Sequence, residues 1–158
     1  MIGIARHTDY AARLILHLAS LEPGARVSIA EAARQRHLPV PFLRRLISPL
    51  VKAGILESLR GAGGGIRLGR ASAEISLLDL IRAMEGGVQL NRCVDHHDAC
   101  PFAADCPVQV AWTGATRALE QSLDRVSFDA LARGTAGHAE AHRRRAAPRP
   151  RSLRPSNR

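Results

Sequence analysis

Apolar residues recur at helical spacing in most of the chain, and the pattern breaks into a pair of short strands only once. Ala11, Leu14, Ile15 and Leu18 make one apolar face of a helix expected from Asp9 to about Ser20, with Thr8 as its N-cap and Asp9 in its first turn. Glu22-Pro23-Gly24 ends that helix. Ser28-Ile29-Ala30-Glu31 has the form of a capping box, in which a serine side chain and a glutamate three residues on satisfy each other's free amides. It predicts a short helix to about Arg36, followed by a turn over His37-Leu38-Pro39-Val40.

A third helix is expected to open on Pro41, whose missing N–H costs nothing at a first position. Phe42, Leu43, Leu46, Ile47, Leu50 and Val51 give it a broad apolar stripe. Arg44, Arg45, Ser48 and Lys52 are left for solvent or a ligand, and Gly54 suits the C-terminal cap. Pro49 predicts a kink or a loosened last turn, because it removes one backbone bond. Ile55–Arg60 and Ile66–Leu68 then read as two strands around the glycine-rich tip Gly61-Ala62-Gly63-Gly64-Gly65. The tip has Arg60 and Arg67 on its flanks. It lacks the Lys-Ser/Thr pair and the following helix of a nucleotide-binding loop. Ser76-Leu77-Leu78-Asp79 caps a helix to about Met84, broken by Glu85-Gly86-Gly87. A long helix runs from Pro107 to about Arg125, with Val108, Ala111, Trp112, Ala115, Leu119, Leu123 and Val126 on its apolar side. A short helical segment over Val126–Ala132 completes the pattern, and there is no internal repeat.

Helix, turn, helix and hairpin in that order is the winged-helix arrangement, so the fold expected is mainly α with a small β-wing. Its second helix enters the major groove and its hairpin reaches the backbone or the minor groove. Arg44 and Arg45 stand near the start of that helix, and arginine is the side chain best matched to guanine O6 and N7. With Ser48, Lys52, Arg60 and Arg67 they form the candidate DNA-binding set.

The other chemistry lies in the loop before the long helix. Cys93–Cys106 reads CVDHHDACPFAADC and holds all three cysteines of the chain, Cys93, Cys100 and Cys106, with His96 and His97 between them. Thiolates gathered at such spacing suit a soft metal centre, either zinc or an iron–sulfur cluster. The other readings are a bare thiol sensor, incidental cysteines, or a disulfide with one thiol left over, which an odd count disfavours. A cysteine nucleophile such as Cys100 with His96 or His97 lacks an evident oxyanion site in the sequence.

Composition adds two constraints. Of the formal net charge of +9, the segment after Gly137 supplies +6 through seven arginines and one glutamate. This basic tail cannot bury a core; it is expected to be disordered and to add only nonspecific attraction to phosphate. The body is modestly basic, so an expectation of DNA binding rests on the motif and not on charge. Aromatic residues are only 3%, so the core must be aliphatic. No apolar run is long enough to span a bilayer and no targeting segment is evident, which predicts a cytoplasmic protein without membrane contact.

Several segments together resemble one family. HTDYAARLILHLA, FLRRLISPLVKAGILESLRGAGGGIRLGR, ISLLDLIRAMEG and the three-cysteine loop are similar to the bacterial iron–sulfur winged-helix regulators of the Rrf type, the family of IscR, NsrR and RirA. The likeness covers about residues 1–133 and leaves 134–158 as the tail. It implies a homodimeric transcription factor, in most cases a repressor, on a double-stranded DNA operator. The long helix, residues 107–125, would cross its partner. It also implies a cluster on Cys93, Cys100 and Cys106 that senses nitric oxide, redox state or iron, with 4Fe–4S favoured over 2Fe–2S. Where IscR-like members place a ligating histidine three residues after the last cysteine, this chain has Gln109. NsrR-like members can use an aspartate near the N-terminus of the other subunit, and Thr8-Asp9-Tyr10 makes Asp9 the candidate fourth ligand. The resemblance places Arg44 against bases with Arg45 nearby, and Arg60 in the minor groove. Arg44 stands where IscR-like members carry an acidic residue, so their operator is not expected to transfer.

Overall fold

The computed structural model describes residues 3–134, apart from 62, 96–99, 101 and 103–104. Three helices come first: α1 (Arg6–Ala19), α2 (Ile29–Gln35) and α3 (Val40–Lys52). Strands β1 (Leu56–Leu59) and β2 (Gly65–Leu68) pair antiparallel, with Leu56 opposite Leu68 and Leu59 opposite Gly65. A 3₁₀ turn at Ser72–Glu74 leads to α4 (Leu77–Glu85), the short α5 (Arg92–Asp95) and the long α6 (Pro107–Asp124). Residues 128–134 form α7. This is the expected mostly helical fold with a two-stranded wing.

One aliphatic core lies among α1, α2, α3, α4 and the base of the wing. Ala11, Leu14, Ile15 and Leu18 meet Ala32 and Ala33, then Leu43, Leu46, Ile47 and Leu50, then Ile55, Leu56 and Ile66. Of the stripe expected on α3, the inner four residues are buried, while Val51 at the edge is exposed. Phe42 packs edge-on against Tyr10, ring centroids 5.4 Å apart. The short C-terminal helix contributes more than the sequence pattern suggested. Phe128 is fully buried, and its N–H donates to the Ile75 carbonyl at 2.9 Å while Leu77 N–H donates to Val126, so the segment is stitched to the start of α4.

Three local expectations change. α1 begins a turn earlier than Thr8: its N-cap is Ala5, which has no side chain to offer, and Thr8 N–H already bonds back to Ala5 O at 2.9 Å. The Ala5 N–H is instead taken by the Glu85 carboxylate at 3.1 Å, so the far end of α4 terminates α1. The capping box at Ser28 is half formed. Ser28 Oγ accepts from Glu31 N–H, but the Glu31 carboxylate accepts from Gln35 and pairs with Arg34. The complete box is at Ser76 and Asp79. α3 opens on Val40, with Pro39 as N-cap and Pro41 inside its first turn. Its span includes Pro49, whose carbonyl accepts from Ala53 N–H at 3.0 Å.

The wing glycines serve the chain's own backbone. Val27 exchanges both backbone bonds with Ile66, at 3.0 and 2.9 Å, and a Cβ on Gly65 would sit 2.5 Å from the Val27 carbonyl oxygen. No side chain fits there, which ties the start of β2 to the segment before α2.

Candidate DNA interface and cysteine site

The residues of α3 that the core does not use form its outer face. Because Leu43, Leu46, Ile47 and Leu50 point inward, Arg44, Ser48 and Lys52 line up at intervals of four on the opposite side, with Arg45 beside them. All four are exposed. Arg60 is exposed at the end of β1. Among the described residues, none of Arg44, Arg45, Lys52 and Arg60 forms an ion pair, so this face carries uncompensated positive charge at helix-and-wing spacing. His37, in the turn before α3, takes a positive φ of 54°, which lets the chain reverse between the two helices.

Arg67 is placed differently from the rest of the expected set. It lies directly opposite Glu57 in the β-ladder, and Glu57 Oε2 receives its Nε–H at 2.8 Å and its Nη2 at 2.6 Å. Arg67 is therefore half-buried and charge-matched, and it lines a groove with Leu21, Glu22 and Ala25 beneath the wing. Arg60, beyond the last paired residue of β1, stays in solvent, while Arg67 within the ladder is used by Glu57.

Cys93 sits on α5, Cys100 in the following loop, and Cys106 at the N-cap of α6. All three are free thiols and all are half-buried. Soft donors of this kind fit iron or zinc. The described residues bring no three His, Cys, Asp or Glu side chains together at one point. His96, His97 and much of the intervening loop lie outside the described residues. Asp9, in the first turn of α1, is half-exposed and its carboxylate pairs with Arg13 at 2.9 Å. It also suits the positive end of the helix dipole.

In the sequence Gln109 stands out only as the residue in place of a ligating histidine. In the structure it is 8% exposed and its Nε2 donates to the Cys93 carbonyl at 2.8 Å, holding α5 onto α6. It belongs to a polar inner face of α6. Thr113 and buried Thr116 continue that face, Glu120 pairs with Arg82 at 3.3 Å, and Asp124 accepts from Ser76 Oγ at 3.3 Å. The N-terminal part of the apolar face expected from the sequence points the other way, while Leu119, Leu123 and Val126 are half-buried. Pro107, Val108, Ala111, Trp112 and Ala115 line an open hollow, with Val108 57% and Trp112 37% exposed. A helix normally turns its apolar side to its own core; α6 is mounted on its domain by polar contacts and leaves that side uncovered.

Comparison with known proteins agrees with this architecture. Residues 4–134 match the family model Rrf2, described as an iron-dependent transcriptional regulator. A regulator named NsrR from Geobacillus kaustophilus is 30% identical over 122 residues, covering 77% of this chain and 83% of that protein. The structure of CymR, the global cysteine regulator of Bacillus subtilis, superposes with a TM-score of 0.66 at 28% identity, covering 84% of this chain and 97% of that one. IscR of T. potens shares the fold, with a TM-score of 0.64 at 24% identity and 93% of each chain covered. These relatives are regulators by name, and no described helix here is long and apolar enough to cross a membrane. The recognition helix, the wing and the match across nearly the whole described length place this chain in the Rrf2 family of winged-helix, DNA-binding transcriptional regulators.

Proposed function

We propose that the protein is a cytoplasmic, homodimeric repressor whose hold on operator DNA depends on an iron–sulfur cluster bound by Cys93, Cys100 and Cys106. The observation that carries this reading is the position of the three free thiols: they bracket one loop between α5 and the N-terminus of α6, in a chain of an iron-dependent family. Asp9 of the partner subunit is the proposed fourth ligand, which favours 4Fe–4S over 2Fe–2S. Nitric oxide, oxidants and iron depletion are signals to which such a centre responds. Arg44 and Arg45 read bases, Ser48 and Lys52 meet the backbone, and Arg60 reaches the minor groove. Arg67 supports the wing through Glu57. The apolar face of α6 around Trp112 meets its counterpart in the second subunit. A change at the thiols reaches DNA through α6, because that helix touches both the cysteine loop and α4. Coupling of this kind is typically about 1–3 kcal/mol.

A second reading has a specific observation behind it. The similarity to CymR of Bacillus subtilis and, at 29% identity, to CymR of Staphylococcus aureus, crystallised in an oxidised form, favours thiol chemistry without iron. Anaerobic purification with iron and sulfide quantification and a visible spectrum separates the two. Iron, sulfide and visible absorbance lost in each of Cys93→Ala, Cys100→Ala and Cys106→Ala support the cluster. A colourless protein with three titratable thiols supports the thiol reading. Within the cluster reading, Asp9→Ala should give a more labile or altered centre; an unchanged spectrum and decay rate would remove Asp9 from the site.

A further inference from the structure

We infer that Gln109 is a positioning residue for Cys93: its side chain is the strut that fixes the start of the cysteine loop on α6. The inference deepens the reading of the cysteine site given above, but it rests on the protein's own hydrogen bonds. α5 is only four residues long, too short to hold its shape by helical bonding alone. Its anchor must come from outside, and the Gln109 amide supplies it by donating to the Cys93 carbonyl at 2.8 Å. Gln109 is itself nearly buried at 8% exposure, so the bond is shielded from water and its loss would leave a buried polar group. The Gln109 backbone carbonyl accepts from Thr113 Oγ1 at 2.9 Å, one turn along the inner face of α6, so the polar face continues from the residue that holds Cys93.

Cys106 caps the same helix three residues before Gln109, so two of the three thiols are referred to one rigid element. Cys106 is attached through the backbone and Cys93 through the glutamine side chain. Gln109 is thus more than an absent ligand. An amide at this position orders the first thiol by a donor bond to the backbone carbonyl of its residue, and it links the state of the loop to the helix whose outer face is the uncovered apolar one.

The test uses the full chain without metal, so it does not depend on whether a cluster, zinc or nothing binds there. Individual thiol alkylation rates are measured by mass spectrometry under reducing, chelator-treated conditions for the wild type, Gln109→Leu and Gln109→Glu. Leucine keeps the bulk and loses the donor; ionised glutamate keeps the shape and turns an acceptor toward the Cys93 carbonyl. Cys93 is expected to react about tenfold faster in both, the population change that loss of one shielded hydrogen bond produces. Cys106, held by the backbone, should change less than about twofold. Hydrogen exchange should quicken at the α5 amides and not along α6. Unchanged Cys93 reactivity in Gln109→Leu, or equal acceleration of Cys93 and Cys106 in both variants, would overturn the assignment. Iron content measured separately bears on the cluster reading alone.

Discussion

Arg36, at the end of α2, donates from Nη2 to Nδ1 of His17 in the last turn of α1, at 3.0 Å. The guanidinium is always protonated and has no lone pair to offer, so Nδ1 must accept and His17 is the neutral tautomer with its proton on Nε2. Burial lowers the His17 pKa, the nearby Arg36 charge lowers it further, and Glu31 opposes both. The pair ties α1 to the helix that precedes the reading turn.

This fixes the sign of one pH effect. Above about 6.5, the ordinary histidine value, His17 is neutral folded and unfolded and contributes no slope. As pH falls below it, the unfolded chain takes up the proton first and stability declines toward the lowered folded value. His17→Gln keeps an acceptor and removes the titration. Denaturation midpoints between pH 7.5 and 5.5 should fall less steeply for His17→Gln than for the wild type. Parallel slopes would show that other histidines govern the window.

The outer face of α3 should divide into reading and positioning residues. Arg44→Ala and Arg45→Ala should each cost about 1–3 kcal/mol on a cognate palindromic operator and much less on scrambled DNA. Lys52→Ala should weaken both duplexes alike. Arg60→Ala should reduce preference for an A·T-rich flank, whose narrow minor groove attracts arginine. Arg67→Ala should act chiefly on stability, because its guanidinium answers Glu57. Titrations at a single salt concentration on matched duplexes decide each case.

The uncovered face of α6 gives a test of assembly. Trp112→Asp adds a charge to an exposed apolar surface and leaves the buried core untouched. Sedimentation equilibrium should show dimerisation of the variant weakened by at least about 100-fold in Kd relative to the wild type, equivalent to about 2.7 kcal/mol. Far-UV circular dichroism should be unchanged. A Trp112→Asp protein that dimerises like the wild type would move the interface elsewhere.

Residues 138–158 carry seven arginines and lie outside the described structure. Truncation after Gly137 should leave dimerisation and operator choice intact. It should weaken DNA binding at low salt and flatten the dependence of log K on log salt, because these charges act by counterion release. A truncated chain that fails to dimerise would assign the tail a structural part.

Periodicity and turn chemistry were enough to locate the winged helix. Apolar spacing places every helix of the reading domain, the Gly-rich segment places the wing, and the remaining polar positions of α3 nominate Arg44, Arg45, Ser48 and Lys52. These features depend on neighbours in the chain, so they are written locally. Three cysteines in one loop are equally visible, and so is the chemistry available to them.

Tertiary structure decided what each residue faces. The apolar stripe of α6 is legible in the sequence, but its direction is not: the polar bonds from Gln109, Glu120 and Asp124 to α5 and α4 accompany a start of the stripe, around Val108 and Trp112, that faces outward. Thr8 has the identity of a cap, yet Glu85, 80 residues from Ala5, moves the helix start to Ala5. Arg60 and Arg67 look alike beside the glycines, but strand register sets Arg67 opposite Glu57, while Arg60 lies beyond the end of β1 in solvent. Gln109 carries no signal in the sequence beyond the histidine it is not, because a donor bond to a carbonyl 16 residues away exists only once α5 and α6 have packed. Each of these outcomes belongs to a pair of residues distant in the chain, and a pattern read along one strand of sequence has no term for the distance between them.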